Sequence, residues 1–178
     1  METIDKVTKF GTIAHNLIEE TETYFNYIEL VSKRKPGMDV IKDIADSSLF
    51  NLDAFEHFLQ EKRRLDIVSA PVVNMASLGM AGYYGLHNGA ITLNAIANMM
   101  TDLYARKNRD YGNSFDKSMD KFGLVVAAIR IGDKVNRLQS LIAKGGAEVK
   151  DESMADTCID LACYAIMTLM WCDDQIEK

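Results

Sequence analysis

Acidic side chains recur along the last predicted helix at a spacing that places them on one face. Glu152, Asp156 and Asp160 stand at i, i+4 and i+8, and residues four apart are neighbours on a helix surface. Asp160 lies between Ile159 and Leu161, where a buried carboxylate is costly unless it is paired or binds a metal. Carboxylates one turn apart can share a hard cation such as Mg²⁺. The alternative is an exposed acidic face, which the helix dipole favours near a helix N-terminus.

The preceding predicted helix carries the complementary charge. Arg130, Lys134 and Arg137 recur at helical spacing, so they share a face from which they could hold phosphate oxygens. Asp133 on the same helix could add a third carboxylate to the acidic set. The alternative is a solvated face whose charges pair with residues four positions away.

Residues 107–114 are predicted to form a polar loop that offers side chains to a ligand. Lys107 and Arg109 supply positive charge, and Tyr111 supplies a ring that could stack on a base. Asn113 supplies an amide that could hydrogen-bond to the edge of that base. The alternative, compatible with the first, is a turn followed by a helix N-cap at Asn113 or the next residue.

The histidines and cysteines predict no nucleophilic or zinc site. The three histidines are far apart in the sequence and stand near no carboxylate pair, so no Ser/His/Asp or Cys/His arrangement can be argued. The spacings of Cys158, Cys163 and Cys172 match no zinc pattern. We interpret them as small buried residues of a reducing cytoplasm, with redox chemistry as the alternative.

Composition excludes several classes of function. The chain has 178 residues, a formal net charge of −6 and a pI near 5.1, which argues against general binding of nucleic acid or anionic membranes. The first residues are polar and no apolar window has the length of a membrane span, so we expect a cytoplasmic protein. Two prolines indicate long helices, because proline interrupts them.

Apolar periodicity near 3.6 residues predicts an all-α bundle with an N-terminal helical extension. Residues 1–100 form a helical region of unknown role packed on the rest, and residues 101–178 form the domain that carries the chemistry. The uncharged, glycine-rich stretch 69–101 predicts close helix packing or a subunit interface, and hence a homo-oligomer. The predicted helices are 3–32, a short piece at 40–45, one capped by Asn51 or Asp53, 90–107, 116–143 ended by Gly145–Gly146, and 152–174.

Four motifs in order resemble one known family. They are LysAsnArgAspTyrGlyAsnSerPhe (107–115), PheGly (122–123), ArgIleGlyAspLysValAsnArgLeu (130–138) and the run that begins AspGluSerMetAlaAsp (151–167). Together they resemble the nucleotide modification-associated domain 1 family over about residues 100–175. The resemblance implies a role in modified-nucleotide metabolism, and members are often encoded by bacteriophages. A more distant likeness is to all-α NTP pyrophosphatases of the MazG and dimeric dUTPase kind, of which the chain keeps the general plan of acidic residues on adjacent helices.

Residues and resemblance together predict a magnesium-dependent enzyme that hydrolyses or remodels a (deoxy)nucleoside phosphate. In this hypothesis Asp133, Asp156 and Asp160 are catalytic and hold Mg²⁺. Two alternatives stay open. One is a non-catalytic nucleotide-binding protein such as a sponge or sensor for a nucleotide signal, and the other is a structural helical protein in which Asp160 pairs with Arg130 or Arg137. The predicted substrate-binding residues are Lys107, Arg109, Tyr111, Asn113, Arg130, Lys134 and Arg137.

Overall fold

The chain is helical throughout the part that the computed structural model describes, which is residues 3–32, 38–88, 90–145 and 153–176. Eight helices and no strands occur in these ranges, so the predicted all-α class is confirmed. Residues 33–37, 89 and 146–152, which include Gly146 and Glu152 of the sequence predictions, lie outside the described residues. The helices are α1 (Thr3–Asn16), α2 (Ile18–Ser32), α3 (Met38–Gln60), α4 (Leu65–Leu86), α5 (Leu93–Tyr111), α6 (Ser114–Phe122), α7 (Val125–Lys144) and α8 (Met154–Ile176).

The antiparallel pair of α4 and α8 forms the centre of the bundle. A Cβ atom placed on Gly79 would lie 2.6 Å from the carbonyl oxygen of Cys158 and 2.9 Å from the backbone nitrogen of Ala162. A Cβ on Gly82 would lie 2.7 Å from the sulfur of Cys158. Because glycine has no side chain, the two backbones approach more closely here than any larger residue would permit. The close helix packing predicted for this stretch is therefore confirmed.

The apolar stretch 69–101, from which an oligomer is predicted, packs mostly into the chain's own core. Residues Val68 to Gly82 of α4 are largely buried, as is the apolar run of α8. The sequence-based expectation that no apolar window has the length of a membrane span is wrong, because both helices are long and apolar enough to cross a membrane by length and composition. Most of each apolar window is nevertheless buried inside the bundle. Core helices of soluble proteins have the same properties, so neither feature requires a second copy or a membrane.

Several predicted helix boundaries are wrong. The predicted helix 3–32 is interrupted at Leu17, between α1 and α2. The short piece at 40–45 and the helix after it are one continuous helix, α3. Asn51 is therefore no N-cap; it is buried inside α3, donates to the carbonyl of Ser47 at 2.9 Å and accepts from the Asn74 amide at 2.9 Å. A polar residue satisfied by tertiary contacts looks the same in sequence as a cap.

The predicted loop 107–114 is mostly helical. Helix α5 continues to Tyr111 and ends at Gly112, which has φ +57. Asn113 has φ +58 and makes no side-chain capping bond to α6. The predicted helix 116–143 is divided between α6 and α7 at Gly123, where φ is +69. Gly145, with φ +76, ends α7 as predicted.

The first hundred residues and the rest share one core. The main cluster of buried side chains includes Phe10, Phe55 and Met75 as well as Ile131 and Leu161. Contacts that anchor α1 to the C-terminal half include a stacked ring pair and two ion pairs. These are Phe10 with Tyr104 at 4.5 Å between ring centroids, Lys6 with Asp116, and Lys9 with Asp174 at 2.7 Å.

We expect Gly79→Ala to lower the free energy of unfolding by roughly 2 kcal/mol, because the added methyl meets backbone atoms of α8 that cannot give way. Gly132→Ala is the matched control. Its Cβ would meet only Leu52, at 3.8 Å, so the gain in helix propensity of up to about 1 kcal/mol should prevail. Chemical denaturation measures both, and equal effects of the two substitutions would contradict the close-packing interpretation.

Candidate functional site

Two adjoining cavities open where α5, α7 and α8 meet. The larger has a volume of about 420 Å³ and the smaller about 200 Å³. Leu103, Lys107 and Asp160 line both cavities, so the two are adjacent. The larger volume alone is within the range of roughly 300–1,000 Å³ that is usual for small-molecule sites.

The larger cavity, called the cationic cavity below, is lined by more positive than negative side chains. Arg106 and Lys107 come from α5, and Lys134 and Arg137 come from α7. Two carboxylates of α8 oppose these four cations, which leaves a formal charge of +2 on the wall of the cavity. The remaining lining residues are Tyr83, Met99, Leu103, Asp156, Thr157, Ile159 and Asp160.

Asp160 joins the two basic helices through its carboxylate. One oxygen, Oδ1, lies 3.2 Å from Nζ of Lys107, and the other, Oδ2, lies 2.9 Å from Nζ of Lys134. Burial of Lys107 opposes its charge, but the attraction of Asp160 is stronger overall and raises the pKa of Lys107 above its usual value. The carboxylate within the apolar run of α8 is thus paired, as the sequence predicts. Its partners are two lysines, whereas the sequence suggested a neighbouring arginine.

Asp156 takes part in capping the N-terminus of α8. Its Oδ2 accepts a hydrogen bond from the backbone N–H of Ser153 at 3.0 Å and from the Ser153 hydroxyl at 2.6 Å. In return the backbone N–H of Asp156 donates to the Ser153 hydroxyl oxygen at 3.1 Å. This reciprocal pair is a capping box, which satisfies helix N–H groups that have no partner within the helix. Asp156 therefore has a structural role even though it also lines the cationic cavity.

The smaller cavity, called the aromatic cavity below, is lined by four rings. Phe115 of α6 and Tyr164 of α8 lie 5.7 Å apart between centroids and are tilted by 46°. Nζ of Lys134, which lines the cationic cavity, lies 5.8 Å from the centroid of the Tyr164 ring, so this ring lies close to both cavities. Tyr111 is 69% exposed at the end of α5. The full lining is Leu103, Tyr104, Lys107, Asn108, Tyr111, Ser114, Phe115, Asp160, Cys163, Tyr164 and Met167.

The three cysteines are free thiols, as predicted. Burial raises the pKa of the Cys163 thiol to about 12, and the nearby Asp160 carboxylate adds to that shift while Lys107 opposes it. Burial likewise raises the pKa of Cys158 and of Cys172 to about 12. Since the thiolate is the nucleophile, Cys163 contributes an apolar wall to the aromatic cavity and no nucleophile near neutral pH.

The structure brings together about half of the residues that the sequence singled out. Lys107, Lys134, Arg137, Asp156 and Asp160 all line the cationic cavity, and Tyr111 lines the aromatic cavity. Helix geometry explains why the others do not line either one. Arg109 is two residues, or roughly 200°, around α5 from Lys107. Asp133 points roughly 100° away from Lys134, and Arg130 lies roughly 10 Å along α7 from Arg137. Asn113 belongs to the turn after α5.

The predicted magnesium ligands are not assembled. Among the described residues there is no group of three or more Asp, Glu, His or Cys side chains that could hold a metal ion. Asp133 is exposed on another face of α7, and Asp156 is engaged in the capping box. A cation bound at Asp160 would lie beside two lysine ammonium groups, which Coulomb repulsion opposes. The three-aspartate set therefore does not fit Mg²⁺, and Glu152 lies outside the described residues.

Some lining residues gave only a weak signal in the sequence. Tyr164 and Met167 follow Asp160 at i+4 and i+7 on α8, so the acidic stripe that was recognised continues as an apolar one. Arg106 directly precedes Lys107, but the sequence pattern places it in the helix before the predicted loop and so predicts no ligand contact for it. Tyr83 lies in the glycine-rich stretch, where no sequence pattern connects it with α7 or α8.

We expect Asp156→Ala to lower the free energy of unfolding by about 1 kcal/mol, because the capping box at the start of α8 is lost. Asp133→Ala is the control, since Asp133 is an exposed carboxylate on α7 and its loss should change stability by less than about 0.5 kcal/mol. Urea denaturation of both variants measures the difference. Equal losses would show that Asp156 does not act as a cap.

Comparison with known proteins agrees with the resemblance that the motifs predicted. Comparison with the curated proteins and with the solved structures gives no significant match. A family model, described as nucleotide modification associated domain 1, matches residues 107–171. The matched segment contains Lys107, Lys134 and Asp160, while Tyr83 and Arg106 lie before it. Through residues 107–171, the chain is therefore similar to the nucleotide modification associated domain 1 family, as its sequence predicted.

Proposed function

We propose that the protein binds a nucleoside phosphate, with the phosphate groups in the cationic cavity. The observation that carries this proposal is four basic side chains around one concavity of a chain whose formal net charge is −6. An acidic protein gains nothing for solubility from such a concentration of positive charge. It is the arrangement expected of a site for a small multivalent anion.

The types of cation suit phosphate oxygens. Arginine presents a planar fork of donors that matches two oxygens of a phosphate, and lysine presents a compact charge. Arg106, Lys107, Lys134 and Arg137 come from two different helices, so they approach an anion from two sides. A concavity of this size accommodates one small molecule, whereas a long nucleic acid needs an extended basic surface.

The family description supports a nucleotide as the small anion. The matched segment, residues 107–171, contains three of the four cations and most of the aromatic cavity. Its description associates the family with nucleotide modification. A phosphorylated molecule from nucleotide metabolism thus agrees with both the charge of the cavity and the family.

We favour binding without metal-dependent turnover over the sequence-based hypothesis of a magnesium-dependent hydrolase. The three aspartates that this hypothesis required do not form a metal-binding group. Asp160 is instead engaged with two lysines, whose positive charges oppose a metal cation at its carboxylate. The binding function needs only the cations, and these are in place.

Arg137→Ala should weaken binding of nucleoside triphosphates about tenfold, the effect of removing one charge-assisted hydrogen bond. Arg130→Ala is the matched control, since it is the same residue type on the same helix but does not line the cavity. Isothermal titration calorimetry measures both affinities, and circular dichroism checks that both variants fold. The proposed function fails if the unmodified protein binds no nucleotide, and the placement of the phosphates fails if the two variants bind alike.

Product analysis separates binding from catalysis. We expect each nucleoside triphosphate to be recovered unchanged after incubation with the protein and Mg²⁺, followed by denaturation and chromatography. Affinity should also be unaffected by EDTA, because the cations of the cavity hold the phosphates. Release of a monophosphate or of pyrophosphate, absent in an Asp160→Ala control, would establish the hydrolase instead.

A further inference from the structure

The cationic and aromatic cavities differ in charge but share a boundary. Lys107 and Asp160 line both, and the Tyr164 ring of the aromatic cavity lies 5.8 Å from Nζ of Lys134, which lines the cationic cavity. In the aromatic cavity these two shared charges are opposite and paired, so the remaining wall is aromatic, aliphatic and neutral polar. The cationic cavity therefore favours an anionic group, and the adjoining aromatic cavity favours a flat ring.

We propose that one nucleoside phosphate spans both cavities, with its base in the aromatic cavity and its sugar hydroxyls at Asp160. This inference rests on the proposed function and specifies the class of ligand: it must carry a base, a hydroxylated sugar and phosphate in that order. Inorganic polyphosphate would occupy only the cationic cavity, and a free nucleoside would lack the phosphate groups that this cavity binds.

The aromatic cavity has the features that recognise a base. Tyr111, Phe115 and Tyr164 offer ring faces from three different helices, and stacking on such rings is tolerant of base identity. Asn108 and Ser114 add neutral polar side chains to the same wall, and an amide can both donate to and accept from the edge of a base. Tyr111 is 69% exposed, so its ring is available to cover a base without leaving the core.

Asp160 lies where the sugar must pass. The sugar is the covalent link between base and phosphate, and Asp160 lines both cavities. Each of its oxygens accepts from one lysine, at 3.2 Å and 2.9 Å. A carboxylate offers about four acceptor positions, so each oxygen retains one for a hydroxyl.

Calorimetry with a ligand series tests the inference on the full-length protein. The probes are a ribonucleoside triphosphate, the matching 2′,3′-dideoxynucleoside triphosphate, tripolyphosphate and the free nucleoside. We expect the ribonucleoside triphosphate to bind most tightly, with tripolyphosphate and the dideoxy analogue each roughly tenfold weaker. Tripolyphosphate that binds as tightly as the nucleotide would overturn the base site while leaving the proposed function intact. If neither of the two binds, the proposed function itself fails.

Two substitutions assign the parts of the ligand to residues. Tyr111→Ala should weaken nucleotide binding roughly tenfold and leave tripolyphosphate binding unchanged. Tyr27→Ala is the matched control, because Tyr27 is 66% exposed on α2, away from both cavities. Asp160→Asn should remove most of the preference for the ribonucleotide over its dideoxy analogue, whatever its effect on overall affinity. An unchanged preference in Asp160→Asn, or equal effects of the two tyrosine substitutions, would overturn the assignment.

Discussion

The contact between α4 and α8 fixes the orientation of the helix that carries Asp160 and Tyr164. At Gly79 the two backbones are so close that even a methyl group would meet main-chain atoms of Cys158 and Ala162. One face of α8 is thereby committed to α4, and close-packed interiors leave little freedom for rotation. The face that carries Asp160 and Tyr164 is consequently held toward α5, α6 and α7. Two glycines of α4, Gly79 and Gly82, thus set the packing of α8 and with it the placement of Asp160 and Tyr164.

Electrostatics explains how an acidic chain maintains a cationic cavity. Lysines drawn together without a counter-ion would repel each other and lose hydration. Asp160 lies between Lys107 and Lys134 and contacts both, so it stabilises the basic helices in the unliganded protein. Its single charge is outweighed by the surrounding cations. The cavity therefore keeps its attraction for anions while its side chains are already positioned.

The N-terminal hundred residues form part of the same structure. Their helices contribute Phe10, Phe55 and Met75 to the main core, and they supply Tyr83 and Met99 to the wall of the cationic cavity. A segment limited to residues 107–171 would lack the glycines on which α8 packs and the Arg106 side chain. The match to a known family covers most of the candidate ligand contacts, whereas the support for those contacts comes largely from outside it.

The sequence by itself determined the local features: an all-α chain, a stop at Gly145, unpaired cysteines, and charged stripes on the last two helices. Each of these depends on spacing along one segment, which helix periodicity reports directly. Only the tertiary structure decided which members of the stripes meet. Asp160 pairs with Lys107 and Lys134, while Arg109, Arg130 and Asp133 lie outside the cavities. Periodicity relates side chains on one helix, but the rotation and offset between helices are set by close packing at Gly79 and Gly82, which involves residues far apart in the sequence.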